Sequence, residues 1–283
     1  MKHFLLSFFV FAFLFFCVPF VPGVFGVPKR EEKQEIHILK SKTNEVVAIP
    51  VEDYVIGVLD RLGETYPEEA LKAIAVAVRS SALYSEQHRP VHAEAAVCDD
   101  PGCCMAVLLD RFSEASAKAA AETASLGLFY KGKLCPAPTC KDAGGVTESC
   151  EALYGVAFDF LGSVTESHSA DSTAVTVPLG AIRNKLGADP DALSFACDRT
   201  GRVKEVWWEE KTMSGTEFAL AFGLPTLLFS AEKKGNAIVF TCFGNGSGVG
   251  LSRSGAARMA ESGKGFAEIL AFYFPGTEIG KID

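Results

Sequence analysis

The sequence contains no polybasic segment, no internal repeat and, beyond residue 27, no low-complexity region. Its formal net charge is -8 and its pI is near 5.3. Because binding to phosphates needs a basic surface, these values argue against nucleic acid as a partner. From residue 36 onward the apolar content is ample for a sizeable core.

Charged residues are also absent from residues 4–27, which consist mainly of Phe, Leu and Val. This stretch could span a bilayer, because roughly 20 apolar residues cover the hydrocarbon core. A cleaved signal peptide is the alternative, with residues 24–26 as its cleavage site. Both readings predict that residues 28–35 are a charged linker and that the rest lies outside the cytoplasm, either membrane-anchored or secreted. Contact with the membrane is expected through residues 1–27 only.

A glycine-rich segment near the C-terminus is the most distinctive feature of the chain. Gly244, Gly246, Gly248 and Gly250 alternate with single residues, so the backbone can adopt positive φ or let a ligand approach closely. Apolar residues at helical spacing follow and end at Pro275. The pattern predicts a tight loop followed by two short helices.

A second informative segment is predicted to form a helix over residues 67–84. It begins with Pro67 and two glutamates, which suit the first turn of a helix, and its apolar residues recur every three or four positions. Lys72 and Arg79 are seven residues apart and share a different face. On these residues alone, Lys72 pairs with Glu68 at i,i+4 and Arg79 is solvated.

Four residues have the spacing of a metal site: His92, Cys98, Cys103 and Cys104. Residues 99–102 form a turn that brings the last two thiols back, and Cys₃His is a common structural zinc set with no open position. Disulfides are the alternative, because eight cysteines lie outside the leader and an extracytoplasmic compartment is oxidising. Cys103 and Cys104 are poorly placed to bond to each other, since adjacent cysteines strain a disulfide.

The periodicities predict an α+β fold, as a single mixed domain over residues 36–283 that carries the glycine-rich loop near its C-terminus. Strands are expected at 45–49, 203–208 and 237–243, and helices at 51–62, 67–84 and 113–124.

The glycine-rich loop and the segment at 49–84 resemble, in the right order, two signature regions of the stage II sporulation protein D family. Further matches lie between them, at 127–133, 143–149, 199–206 and 213–229. The resemblance implies a sporulation protein that acts on peptidoglycan glycan strands during engulfment by lytic transglycosylation. It also implies other engulfment cell-wall hydrolases as partners.

The resemblance also implies roles for individual residues. Lys72 and Arg79 would lie on a helix beside the glycan cleft. Gly144 and Gly145 would line that cleft, together with the loop residues Ser247 and Gly248. Ser247 stands where the family has a histidine. Some members carry His-x5-Cys-x4-His-Cys at the metal position, so Cys103 would be an exchange that keeps a zinc ligand.

The catalytic glutamate of the family has no direct match. Its position falls on Leu62 when counted from Gly57 and on Arg61 when counted back from Pro67. Glu64 is the best substitute acid, and one carboxyl suffices for a lytic transglycosylase, because the sugar's own hydroxyl is the nucleophile. However, the nearby helix N-terminus favours the ionised form of Glu64.

These departures predict a diverged protein with weak or absent cleavage. Two alternatives remain: a non-catalytic glycan-binding module or amidase enhancer, and a zinc-stabilised envelope protein with no saccharide role.

Overall fold

The structure, a computed structural model, describes residues 34–62, 65–88, 92–100, 103–104, 107, 112–167 and 172–282. Residues Glu35–Asp283 form one compact unit. The predicted anchor or signal at 1–27 lies outside the described residues, as does most of the linker at 28–35. Within the described ranges, no helix combines the length and the apolar character that a membrane span requires.

The predicted α+β class is confirmed, because helices are combined with small sheets whose strand pairs are mainly antiparallel. The helices are α1 (Val51–Arg61), α2 (Glu68–His88), α3 (Glu114–Glu122), α4 (Cys150–Tyr154), α5 (Leu179–Leu186), α6 (Gly215–Phe222), α7 (Arg253–Glu261) and α8 (Phe266–Tyr273), with a 3₁₀ turn at Pro190–Ala192. The strands are β1 (Glu35–Lys40), β2 (Glu45–Pro50), β3 (Val97–Cys98), β4 (Leu126–Tyr130), β5 (Lys133–Leu134), β6 (Thr139–Cys140), β7 (Ser172–Pro178), β8 (Ser194–Cys197), β9 (Val203–Trp208), β10 (Lys211–Ser214), β11 (Phe229–Lys234), β12 (Ala237–Phe243), β13 (Leu251–Ser252) and β14 (Glu278–Lys281).

The predicted elements are found with small differences at their ends. Strands β9 and β12 have the predicted bounds, and the glycine-rich loop is followed by two short helices, α7 and α8. Helix α2 begins directly after Pro67 but continues to His88, beyond the predicted end at residue 84. The extension has a local reason, because the sequence contains no glycine or proline between residues 68 and 88.

Helix α2 is the central element of the larger of two apolar clusters. It contacts α1, α3, α7 and α8, and strand β4. Its alanine-rich sequence lets these neighbours approach closely. The buried hydroxyl of Ser80 on this helix donates to Val76 O at 2.7 Å and accepts from Leu128 N at 2.8 Å, so it is satisfied inside the core.

The described residues form five small sheets, in the strand orders β2-β1-β3, β14-β4-β5, β13-β6, β10-β9-β8 and β11-β12-β7. The larger cluster draws its buried residues from 36–161 and 249–274, and the smaller one from 177–242. Phe218, Phe229 and Phe240 form the centre of the smaller cluster. The ring of Phe240 meets the other two edge to face, with centroids 5.7 Å apart for Phe218–Phe240 and 5.5 Å for Phe229–Phe240.

Arg79 lies inside the larger cluster, with no exposed surface. Its Nε and Nη2 donate to the carboxylate of Glu52 on α1 at 2.9 and 2.6 Å, and its Nη1 donates to Leu126 O at 3.1 Å. Neither the solvated position nor the glycan-facing position expected for Arg79 is therefore correct. The physical reason is that its partner comes from the preceding helix, so the guanidinium is paired within the core.

We predict that Glu52→Gln lowers the free energy of unfolding by about 3 kcal/mol, because the substitution leaves a buried guanidinium without its counter-charge. Urea unfolding measures the effect. Glu45→Gln is the matched control, since Glu45 is an exposed strand residue and surface substitutions typically change stability by about 0.5 kcal/mol or less. A Glu52→Gln protein as stable as the Glu45→Gln protein would contradict the internal role of the pair.

Candidate functional site: the glycine-rich loop and its surroundings

The glycine-rich loop, defined as residues 244–250, is paired with the segment at 138–148. Asp142 and Asn245 exchange two backbone hydrogen bonds of 3.0 and 2.8 Å, and Glu148 N donates to Gly248 O at 2.9 Å. Strands β6 and β13 continue the pairing in parallel. The structure therefore brings the predicted residues Gly144, Gly145, Ser247 and Gly248 into two adjoining segments.

Glycine is required at these positions by both conformation and space. All four glycines of the loop have φ between +77° and +102°, which confirms the predicted left-handed backbone. A Cβ atom on Gly144 would lie 2.7 Å from Phe243 O, and one on Gly250 would overlap Pro138 O. At both positions the space that glycine leaves is filled by the chain's own backbone.

Arg202 holds the two segments together from behind. Its side chain is only 1% exposed, and its Nη2 donates to Ala143 O at 2.6 Å and to Val146 O at 2.9 Å. Its Nη1 donates to Thr200 Oγ1 at 3.1 Å. A Cβ atom on Gly248 would overlap the guanidinium. Only glycine at position 248 leaves room for the guanidinium of Arg202. The guanidinium in turn binds carbonyl oxygens on both sides of the turn at Gly144 and Gly145.

Two carboxyl groups lie beside Arg202 and share one hydroxyl. Thr200 Oγ1 is 2.8 Å from Glu148 Oε2 and 2.7 Å from Asp198 Oδ1. Burial raises the pKa of Glu148, whereas hydrogen bonds from Glu148 and Thr200 outweigh the burial of Asp198 and lower its pKa. A single hydroxyl hydrogen cannot be donated to both carboxyl groups at once, so the two groups are coupled through Thr200.

The solvent side of the site is formed by Ser247 and Tyr154. Ser247 is half-buried, and its Oγ accepts from Val249 N at 3.2 Å. Tyr154, the last residue of α4, is 59% exposed, and its phenol forms a hydrogen bond with Ser247. An exposed aromatic ring thus stands beside the loop.

Lys72 has the predicted pairing and two further partners. Its Nζ lies 2.9 Å from Glu68, 3.0 Å from Glu69 and 2.6 Å from Glu122 of α3. Hydrogen bonds to these carboxylates, that of Glu122 first, raise the pKa of Lys72. The hydrogen bonds from Lys118 and Lys72 lower the pKa of Glu68 to about 2. Three carboxylates thus hold the ammonium group that the resemblance places beside a glycan.

The predicted acid, Glu64, lies outside the described residues. The two positions that align with the family's glutamate do not supply another carboxyl, because Arg61 and Leu62 end α1. The neighbouring Asp60 is engaged elsewhere, since its carboxylate accepts from Ser113 N at 2.9 Å and from Ser113 Oγ at 2.6 Å. Asp60 therefore fixes the start of α3.

The four predicted metal ligands do come together. His92 Nε2 lies 3.4 Å from Cys104 Sγ and 3.7 Å from Cys103 Sγ, the Cys103 and Cys104 sulfurs are 3.9 Å apart, and all four ligand atoms, with that of Cys98, lie within 4.8 Å of one another. A tetrahedral zinc with usual bond lengths sets S···N at about 3.6 Å and S···S at about 3.8 Å. The donor set and its spacing fit zinc.

The disulfide alternative is not found in the structure. All eight cysteines outside residues 1–27 are described, and each has a free thiol. Four of them, Cys135, Cys140, Cys150 and Cys242, are buried as small apolar side chains, and burial raises the pKa of each thiol.

Reasoning from the sequence gave no role to Arg202, Glu148, Asp198 or Tyr154. The available signal was local: Asp198, Thr200, Gly201 and Arg202 follow one another in a turn, in which Asp198 Oδ1 accepts from Thr200 N at 2.8 Å and from Arg202 N at 3.1 Å. That signal predicts a turn and gives no indication of where the guanidinium points.

Comparison with known proteins adds to this geometry. A family model described as Stage II sporulation protein matches residues 39–130. Stage II sporulation protein D of Bacillus subtilis (strain 168) is 28% identical over 276 residues, which cover 88% of this chain and 79% of the relative. The protein of the same name from Bacillus amyloliquefaciens is 27% identical, covering 90% and 81%. These matches support the interpretation of the chain as a diverged member of the stage II sporulation protein D family.

A third relative carries no functional name. An uncharacterized protein of Brachyspira hyodysenteriae is 29% identical over 246 residues, which cover 81% of this chain and 66% of the relative. The family match at 39–130 includes α1, α2 and the metal ligands, whereas the glycine-rich loop lies outside it.

We predict that Gly248→Ala destabilises the protein by about 2 kcal/mol more than Gly132→Ala. Both glycines have similar positive φ, +78° and +74°, but a Cβ atom on Gly132 meets nothing within 4 Å, whereas one on Gly248 displaces Arg202. The difference between the two variants therefore isolates the buried guanidinium, because displaced buried donors cost about 1–3 kcal/mol. Equal stability losses in urea unfolding would mean that Arg202 relocates at no cost.

Proposed function

We propose that this protein has a sporulation-related function and acts on the glycan strands of peptidoglycan, together with other engulfment cell-wall hydrolases. Membership of the stage II sporulation protein D family supports the first part. The pairing of the glycine-rich loop with the Gly144–Gly145 turn supports the second, because it gathers the residues expected to line a glycan cleft. We place the domain outside the cytoplasm, with residues 1–27 as its link to the membrane.

Binding is the main activity in this proposal, and cleavage is weak or absent. Lys72 and Arg79 are held by carboxylates of the chain itself, and Asp60 is held by Ser113. Glu64 is left as the acid that would protonate the leaving oxygen and then take the proton of the attacking sugar hydroxyl. The same observations favour the second candidate, a non-catalytic glycan-binding module or amidase enhancer.

The glycan surface in this proposal is the solvent side of the glycine-rich loop. Ser247 offers a hydroxyl, Asn245 is exposed at the start of the loop, and the ring of Tyr154 is 59% exposed beside them. An aromatic face and a few polar groups at fixed positions are typical of sites that orient a small ligand. The rigid support behind the surface, Arg202 and the paired backbone, keeps these groups in place.

Zinc is part of the proposal as a structural ion. His92, Cys98, Cys103 and Cys104 would fill all four positions of a tetrahedral site and so leave none for a substrate. When bound, the ion supplies a cross-link within the segment that follows α2. The ligands on either side of β3 would then hold this short strand against β1, with which it pairs in parallel.

Retention on insoluble glycan without stem peptides should fall about tenfold in Tyr154→Ala, since a lost ring contact worth about 1.4 kcal/mol changes affinity by that factor. Trp207→Ala, which removes an exposed aromatic ring of β9, is the matched control and should behave as wild type. The Lys72→Ala protein should also bind the glycan as wild type does, because the ammonium group of Lys72 is paired with carboxylates of the chain and is not needed for the ligand. Undiminished retention of Tyr154→Ala would overturn the proposed surface.

The same glycan, assayed for anhydro-sugar products, separates cutting from binding. Release should be weak or nil and should vanish in Glu64→Gln, which keeps the size of the side chain but removes its transferable proton. Robust release of anhydro-sugars that persists in Glu64→Gln would contradict both the assignment of Glu64 as the catalytic acid and the proposal that cleavage is weak or absent.

The purified, reduced protein should contain about one zinc per chain, because four thiol and imidazole ligands form a closed site. Elemental analysis measures the content. Cys98→Ala should lose the metal and lower the melting temperature, whereas Cys197→Ala, at an exposed cysteine outside the cluster, should change neither. Metal-free wild-type protein whose cysteines resist alkylation would support disulfides instead.

A further inference from the structure

A cavity of about 600 Å³ opens at the C-terminal end of α2. It shares no lining residue with the glycine-rich loop or with the metal ligands. Its volume lies within the range of about 300–1,000 Å³ that is usual for small-ligand sites. Because α2 rises about 1.5 Å per residue, Tyr84 and His88 of this cavity lie roughly 24–30 Å along the helix from Glu68.

Aromatic side chains form the walls of the cavity. Tyr84, Phe129, Tyr130, Phe158 and Phe160 come from α2, from β4 and from the segment after α4. The Tyr130 and Phe160 centroids are 4.9 Å apart, and those of Phe158 and Phe160 are 5.5 Å apart. Phe160 is buried at the base of this group, while the other four rings keep exposed surface. Such walls suit the C–H face of a pyranose ring.

Positive charge stands at the mouth of the cavity. Lys133 and Lys281 both line it and are exposed, and neither ammonium group forms an ion pair with a carboxylate of the described residues. The neighbouring Lys131 differs, since its Nζ lies 3.2 Å from Asp159 and 4.7 Å from the centroid of the Tyr130 ring. In a chain with a net charge of -8, two unpaired ammonium groups at one opening attract an anion locally.

We infer that this cavity binds a saccharide that carries a carboxylate, with the sugar ring on the aromatic walls and the carboxylate at Lys133 and Lys281. The choice of ligand rests on the proposed function, because a glycan strand stripped of its stem peptides exposes a lactyl carboxylate on every muramic acid residue. Neutral sugars and acidic peptides each satisfy only one half of this site. The cavity is then a second contact for the strand, separate from the glycine-rich loop.

Isoleucine methyl NMR tests the inference on the purified protein, because Ile282 lines the cavity and Ile238 lies in the smaller apolar cluster as a reference. The probes are the disaccharide of N-acetylglucosamine and N-acetylmuramic acid and, as its neutral counterpart, the N-acetylglucosamine dimer. The first should shift the Ile282 signal saturably and bind at least about tenfold more tightly than the second. Ile238 should stay unchanged.

Two double variants separate the effect of the charges at the cavity from the effect of the protein's net charge. Lys133→Ala/Lys281→Ala should weaken binding of the muramic acid disaccharide about tenfold, to the level of the neutral dimer. Lys42→Ala/Lys211→Ala makes the same change in net charge at exposed lysines outside the cavity and should leave the dissociation constant within about twofold. Phe158→Ala should weaken both sugars, and circular dichroism confirms that each variant is folded.

Several outcomes would overturn the inference: an Ile282 signal that no sugar shifts, equal affinity for the two disaccharides, or tighter binding of a tetraglutamate peptide than of the acidic sugar. Failure of the proposed function is distinguishable. A saturating Ile282 shift with undiminished glycan retention of Tyr154→Ala would remove the loop surface and leave the cavity assignment intact. Loss of glycan retention in Tyr154→Ala together with an Ile282 signal that no sugar shifts would support the loop surface and overturn the cavity assignment.

Discussion

The architecture of the candidate site depends on the close approach of two backbone segments that are about a hundred residues apart in sequence. The buried contact from Ala143 N to Ser252 Oγ spans 109 residues, and glycines at 144, 244 and 250 remove the Cβ atoms that would separate the chains. The loop is shaped by backbone bonds and by Arg202, whereas the side chain of Ser247 bonds to Val249 N within the loop and to the phenol of Tyr154 outside it. A side chain at position 247 can therefore change without altering the loop, which accounts structurally for a serine where the family has a histidine.

Features that depend on local sequence could be predicted. The start of α2 follows from Pro67 and two glutamates, β12 from its run of β-branched and aromatic residues, and the metal cluster from four ligands within thirteen residues. Arg79 could not be placed, since its partner Glu52 is 27 residues away on another helix. Arg202 was missed for a similar reason: its three acceptors come from two separate segments, and a single arginine after a turn resembles any surface residue. Glu64 remains a prediction.

Two cations of helix α2 are paired within the chain itself. Lys72 and Arg79 are placed by the family resemblance beside a substrate, yet both are neutralised by carboxylates from α1, α2 and α3. Buried or nearly buried cations that already have partners gain little from an additional anion. In the described part of the chain, Lys133 and Lys281 at the aromatic cavity form no ion pair, and the ring of Tyr154 is exposed. Recognition of a ligand is therefore better served by those surfaces than by the helix face.

The division of the core into two clusters has a consequence for how the chain folds during synthesis. The larger cluster needs residues from 36–161 and also from 249–274, so it cannot close until almost the whole chain has left the ribosome. The smaller cluster draws only on residues 177–242, and its boundaries are adjacent, because Ser172 pairs with Phe243 in neighbouring strands. The contacts of this inner part span a shorter stretch of sequence than those of the larger cluster, so it can form first. Once formed, it would hold the glycine-rich loop, which directly follows β12, in position to pair with the segment at 138–148.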